Sequence, residues 1–221
     1  MKESINKTFN HFKVHTQYSI CEGAVKIDQL KDFCKANKIK SLGLSDTYNL
    51  SGALEFSEGL SSVGTQPIIG TQILFKYKDF SGLLPLIAKN LDGYKNIIEL
   101  SSKSYLQNYD NIDPTCHFED LLNQSSGIIV LTGSIKCLIG TLFNKALFQE
   151  VDEIIGKLVK VFKNNIYVEI QRHNDSNEKE FENFNLNISK KFDLPIIASH
   201  EVFYLDKNMF EAHDALTCIG N

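Results

Sequence analysis

The side chains most able to do chemistry in this chain lie far apart in sequence but share one feature of position. His15, Asp46, Gln72, Ser134, His173 and Glu201 each follow a run that reads as a β-strand. In folds that alternate strands with helices, reacting groups gather where strands end and loops begin, so these six are the first candidates for a site. Each has a plainer reading as well: a lone histidine at a strand end is more often hydrogen-bonded into the structure than a ligand, and Asp46 can cap a turn before Asn49. His11, His117 and His213 fall outside the pattern and are assigned no chemistry. The glycines form neither the GxxxxGK[ST] phosphate loop nor the GxGxxG dinucleotide fingerprint. Five cysteines (Cys21, Cys34, Cys116, Cys137, Cys218) are odd in number and contain no CxxC pair. That argues against a disulfide framework or structural zinc, fits a reducing compartment, and makes the cysteines core residues.

The elements that must position these groups alternate along the chain. Strands are predicted over 11–15, 41–45, 67–75, 83–88, 127–131, 166–171 and 195–199, and helices over 27–39, 50–60, 92–106, 135–147, 148–162, 178–192 and from Asn208 onward. Ile27, Leu30, Phe33, Cys34 and Ile39 share the first helical face, and Tyr94, Ile97, Ile98 and Tyr105 the apolar side of the third. Repeated β-then-α units with near-continuous apolar strands point to a parallel sheet covered by helices. In 221 residues these units leave no room for a second domain. The expected fold is a single α/β domain, a distorted β/α barrel of about seven strands.

A content of 43% hydrophobic and 23% charged residues excludes a disordered or fibrous chain. Lys and Arg total 23 against 27 Asp and Glu, a net charge of −4. The basic excess on which nucleic-acid binders depend is missing; if the domain works near DNA, something else holds the DNA. The start, MKESINKTFNHFK, has no apolar core for a signal peptide, and no apolar run approaches the roughly 18 residues of a membrane span. The expected location is the cytoplasm.

At the strand ends the sequence resembles a known family. KVHTQYSICEGAVKIDQL looks like the first motif of the polymerase-and-histidinol-phosphatase (PHP) domain, HxHSxYSxxDG followed by a helix. LGLSDTYNLSGALEF resembles LTDHGNLxGAxEF, QPIIGTQILF resembles KPIIGCEVYV, and LIAKNLDGYKNIIELSSKSYL resembles LLAKNxxGYxNLxxLxSxAYL. SGIIVLTGS, YVEIQRH, LPIIASHEVFYL and EAHDALTCIG follow in the family's order, so the resemblance runs from about His11 to Asn221. The GYKNIIELSSKSYL and EAHDALTCIG segments favour the branch found in bacterial DNA polymerase III alpha subunits over free-standing phosphatases. The resemblance implies that residues 1–221 are one PHP domain, the N-terminal piece of a much longer polymerase. That polymerase would use magnesium in a palm domain, where paired aspartates align two metal ions. No D-x-D pair occurs here, so neither polymerisation nor a cofactor is expected of these residues.

In active PHP domains clustered His, Asp and Glu side chains bind metal ions that activate water for phosphoester hydrolysis. Carried over position by position, the resemblance places Lys13 at the first His of HxH and keeps the second as His15. The motif's acid is Glu22, Asp46 survives, and the next His is Thr47. Gln72 stands at the acid of GCE, Leu83 at a strand-opening His and Ser134 at a Cys. His173 is retained. In the last motif Asp becomes Glu201 and His becomes Phe203. Leucine and phenylalanine have no lone pairs to offer, and a charged lysine repels a divalent ion. Two unit charges 4 Å apart interact by about 4 kcal/mol at an effective dielectric of 20, and a doubly charged ion roughly doubles that.

The expectation is therefore a catalytically silent site. If any ion remains, His15, Asp46, His173 and Glu201 would hold it, and His200 could support weak binding with His173. Lys13 is expected to enter the former metal site and pair with Asp46, Glu22 or Glu201, Asp46 above all, with Leu83 and Phe203 filling space around it. In branches with an eroded site, the resemblance implies a separate proofreading exonuclease (epsilon) subunit docked on the PHP domain, with DNA held only through the parent polymerase and no membrane involved. The alternative is a surviving metal-dependent 3′–5′ exonuclease or phosphoesterase.

Overall fold

The computed structural model describes residues 9–107 and 113–220. In chain order the strands are β1 (Lys13–Val14), β2 (Ser41–Gly43), β3 (Asp46–Thr47), β4 (Gln66–Ile68), β5 (Gly70–Tyr77), β6 (Phe80–Ala88), β7 (Thr115–His117), β8 (Ile128–Leu131), β9 (Ile166–Ile170), β10 (Ile196–Ala198) and β11 (Glu201–Val202). The helices are α1 (Ile27–Asn37), α2 (Ala53–Ser61), α3 (Leu91–Leu106), α4 (Phe118–Asn123), α5 (Leu138–Asn144), α6 (Phe148–Phe162), α7 (Glu178–Phe192) and α8 (Phe210–Gly220).

Backbone pairing passes around a distorted barrel. β11 pairs with β1, and Val14 bridges to Leu44 just past β2. β2 pairs with β4 and β3 with β5; from β5 the ladder continues through β6, β8 and β9 to β10. Ile69 alone separates β4 from β5, and Ser199 and His200 separate β10 from β11. These breaks bend staves that would otherwise be continuous. β7 adds to β5 beside this path.

Three features differ from the sequence reading. The sheet is mixed, because β6 runs antiparallel to both β5 and β8. The run expected as one strand over 67–75 breaks at Ile69, which leaves Gln72 inside β5 and not after it. The short β7 and α4 were not foreseen as elements, although His117 does stand at the start of α4.

The helices bury the faces that cover the barrel. α1 buries Ile27, Leu30 and Cys34 and ends where Lys38 turns left-handed at φ 52°, its N–H closing onto the last carbonyls. Phe33, expected on that face, is exposed. In α3, capped by Asn90 accepting from the Gly93 N–H at 3.0 Å, Ile97 and Leu100 are buried while Ile98 and Tyr105 face outward. The larger core lies among β5, β6, β8, β9 and the helices from α3 to α7; a smaller one joins β1 and β2 to α1 and α2. All five cysteines are free; Cys34, Cys116 and Cys137 are buried as expected of core residues, but Cys21 is half-buried and Cys218 exposed, because they lie on the loop after β1 and on the thinly covered α8. Among the described residues no helix is long and apolar enough to cross a membrane.

Candidate functional site

Lys13 opens β1 beside β11, in a parallel register that sets it level with Glu201. Neighbours across a ladder put their side chains on one face, and this face is the barrel interior: Lys13 is 1% exposed, among the largest fully buried side chains described. Its ammonium lies 3.0 Å from Glu169 Oε1, in β9, and also pairs with Glu201 Oε1. Burial works against the charge on Lys13, but the two carboxylates outweigh it and hold its pKa above the ordinary lysine range. Burial likewise pushes Glu201 up, yet Lys13 and His15 overcome this and hold its carboxyl well below the usual range.

Most of the remaining carboxylate oxygens are taken up by neighbours. Glu201 Oε2 accepts from His15 Nε2 at 2.5 Å and from Gln72 Nε2 at 3.1 Å. Glu169 Oε1 accepts from Gln171 Nε2 at 2.6 Å and from the Ser199 hydroxyl. Glu169 Oε2 is buried with no partner among the described groups.

Asp46 is not the partner of Lys13. It begins β3 and accepts the Thr16 N–H at 2.6 Å, the Thr16 hydroxyl at 2.7 Å and the Ser19 hydroxyl at 2.8 Å, all from the turn that follows β1. Burial raises its carboxyl pKa, and these donors oppose the rise. Nor does Asp46 cap its own turn; it holds the β1 loop. Thr47 donates to Glu22, whose Oε2 lies 3.6 Å from His15 Nδ1.

A cavity of about 210 Å³ opens above the ion pairs, walled by His15, Glu22, Gln72, Leu83, Ser134, His173, Glu201 and Phe203, with Cys137 and Gln171. Phe203 stacks on His15 with ring centroids 4.5 Å apart and planes 23° apart. Ser134 and Cys137 touch at 3.5 Å. His173 Nε2 meets Gln171 Oε1 at 3.1 Å, and burial together with His200, 4.2 Å away ring to ring, lowers the His173 pKa. Among the described residues no three His, Cys, Asp or Glu side chains converge as a metal-holding group.

The structure thus gathers His15, Glu22, Gln72, Leu83, Ser134, His173, Glu201 and Phe203 around one cavity, with Lys13 beneath them and Asp46 and Thr47 alongside. The residue missed in the sequence is Glu169. Its signal was present: in IYVEIQ an acid sits mid-strand among apolar neighbours, and a charge so placed must find a counter-charge.

The chain matches the PHP domain family over residues 11–173. It is similar to the DNA polymerase III subunit alpha of Caulobacter vibrioides, 32% identical over 231 residues that cover 100% of this chain and 20% of that protein. Its match to the same subunit of Rickettsia conorii is 33% identical over 218 residues, covering 96% and 18%. The chain therefore spans about a fifth of the length of these relatives. Among solved structures it is similar to a protein assigned as a metal-dependent phosphoesterase from Bifidobacterium adolescentis, with a TM-score of 0.58 at 12% identity over 96% of this chain and 98% of that one. An amidohydrolase from Chromobacterium violaceum gives 0.57 at 8% identity, over 95% and 97%. Likeness at such identities shows the fold alone.

Proposed function

The chain belongs to the PHP domain family, and from that premise we propose that it is a catalytically silent PHP domain of a replicative DNA polymerase alpha subunit, serving as a scaffold on which a proofreading exonuclease subunit docks. One observation carries this reading: the Lys13 ammonium, buried and paired with Glu169 and Glu201. It supplies from within the chain the positive charge that divalent ions would supply to a cluster of carboxylates.

The donor set does not fit a group of metal ions. Glu201 spends both oxygens on Lys13, His15 and Gln72. Phe203 covers a face of the His15 ring, and Leu83 lines the cavity with carbon. An entering divalent ion would meet a fixed cation and strip two carboxylates of their partner. The scaffold half of the reading is supported by the ordered strands and two buried cores that surround the site among the described residues, and by matching relatives about five times longer than this chain.

The test has two arms. Incubated with manganese and end-labelled single-stranded DNA, the purified chain is expected to release no nucleotides. It is expected to co-elute with the separately purified exonuclease subunit of the same replication system. Nuclease activity that disappears in Asp46→Ala would refute silence; failure to co-elute would remove the docking role.

A further inference from the structure

Phe203 does more than fail to bind metal. Its ring is stacked with two histidines: His15, at 4.5 Å and 23°, and His213 of α8, at 5.7 Å and 28°. The three rings form a short stack leading from the barrel interior to the last helix. The Phe203 backbone is itself pinned, its carbonyl accepting the Ala24 N–H at 2.7 Å.

Among the described residues α8 has few other holds. None of its residues is fully buried. His213 Nε2 donates to the Glu22 carbonyl at 2.8 Å, and Tyr204 leans on the same ring at 5.1 Å. At the far end Gly220 lies so close to the loop after β1 that a Cβ there would sit 2.6 Å from Cys21 Cβ. Between these holds, Thr217 and Gly220 form one wall of a cleft of about 530 Å³ whose other walls include Glu22 and Leu83. An element with so few buried contacts is drawn from the low-stability end of a fold and opens locally.

We infer that Phe203 is the latch of a strap: it stacks His213 and seats α8 beside the mouth of the site, so that losing the stack releases the helix. The inference is independent of catalytic silence, because it rests on the ring stack and on the thin burial of α8. Phe203 and His213 are positioning residues in it.

Hydrogen–deuterium exchange of the whole chain, read by mass spectrometry, tests it with Phe203→Leu, His213→Ala and the double variant. Each single change is expected to speed exchange of the α8 amides by about tenfold, as for the loss of an aromatic contact with or without one hydrogen bond. β5, β6 and α6 should keep their protection. The double variant should exchange little faster than either single one, because both break the same stack. If Phe203→Leu also loosens β5 and β6, His213→Ala decides alone. Unchanged α8 exchange in His213→Ala overturns the inference, as does full additivity in the double variant.

Discussion

A lysine buried inside a barrel must find its counter-charges within the protein, and Lys13 finds two. The pair with Glu169 and Glu201 is buried, so removing one member leaves an uncompensated charge in a poor solvent. Lys13→Ala is expected to cost about 3–5 kcal/mol of folding stability by urea denaturation. Lys78→Ala, which breaks the solvent-exposed pair with Glu153, should move the urea midpoint far less than Lys13→Ala does. Acid dependence follows from Glu201. Its carboxyl is held low, so its ionised form stabilises the fold above the free-glutamate value near pH 4.3, and this contribution is lost as pH falls through the lowered value. The urea-midpoint gap between the wild type and Glu201→Gln should be widest at neutral pH, begin to narrow below about pH 4, and go on narrowing as pH falls towards the lowered value. At this scale the sequence was legible as to residue type. Lys13, Leu83 and Phe203 are legible as side chains unsuited to ligating a metal, and the inward course expected of Lys13 agrees with its buried pairs. The choice of Asp46 as its partner failed because the Thr16 and Ser19 donors, close in sequence to Lys13, claim that carboxylate first.

Elements position the site through close approaches as much as through strand order. The turn from β1 to α1 brings Gly23 against Thr16, where a Cβ would lie 2.1 Å from the Thr16 carbonyl oxygen. That turn carries the donors that hold Asp46. Gly23→Ala is therefore expected to destabilise the domain by about 1–3 kcal/mol, the usual cost of overpacking. Gly156→Ala in α6, where an added Cβ meets nothing within 4 Å, should stabilise it by roughly 0.5–1 kcal/mol. Urea midpoints of opposite sign check the pair. Most elements could be read from periodicity, α7 to the residue. The β5–β6 hairpin could not, because its turn is Lys78–Asp79 with Lys78 at φ 54°. It lacks the Asn-Gly or Gly signal that marks tight hairpins, so its strands looked like separate parallel ones. Ile98 and Tyr105 misled for another reason. Periodicity gives a stripe, but the width of the buried part depends on what packs there.

At the scale of the whole molecule, the described strands form a distorted barrel around an interior lysine. The barrel was legible because alternation of short apolar strands with helices survives any change of ligands. The charge network was only half legible, because Glu169 joins Lys13 across 156 residues of sequence, a distance no local pattern bridges. The proposed scaffold role needs the staves and not a set of metal ligands, so it turns on what occupies the site. Crystals of the chain soaked in manganese, with anomalous scattering recorded at the manganese edge, test this directly. The account predicts no anomalous peak among His15, Asp46, His173 and Glu201, and Lys13 Nζ seated between Glu169 and Glu201. Two or more well-occupied ions at those strand ends, with Lys13 displaced from both carboxylates, would contradict it.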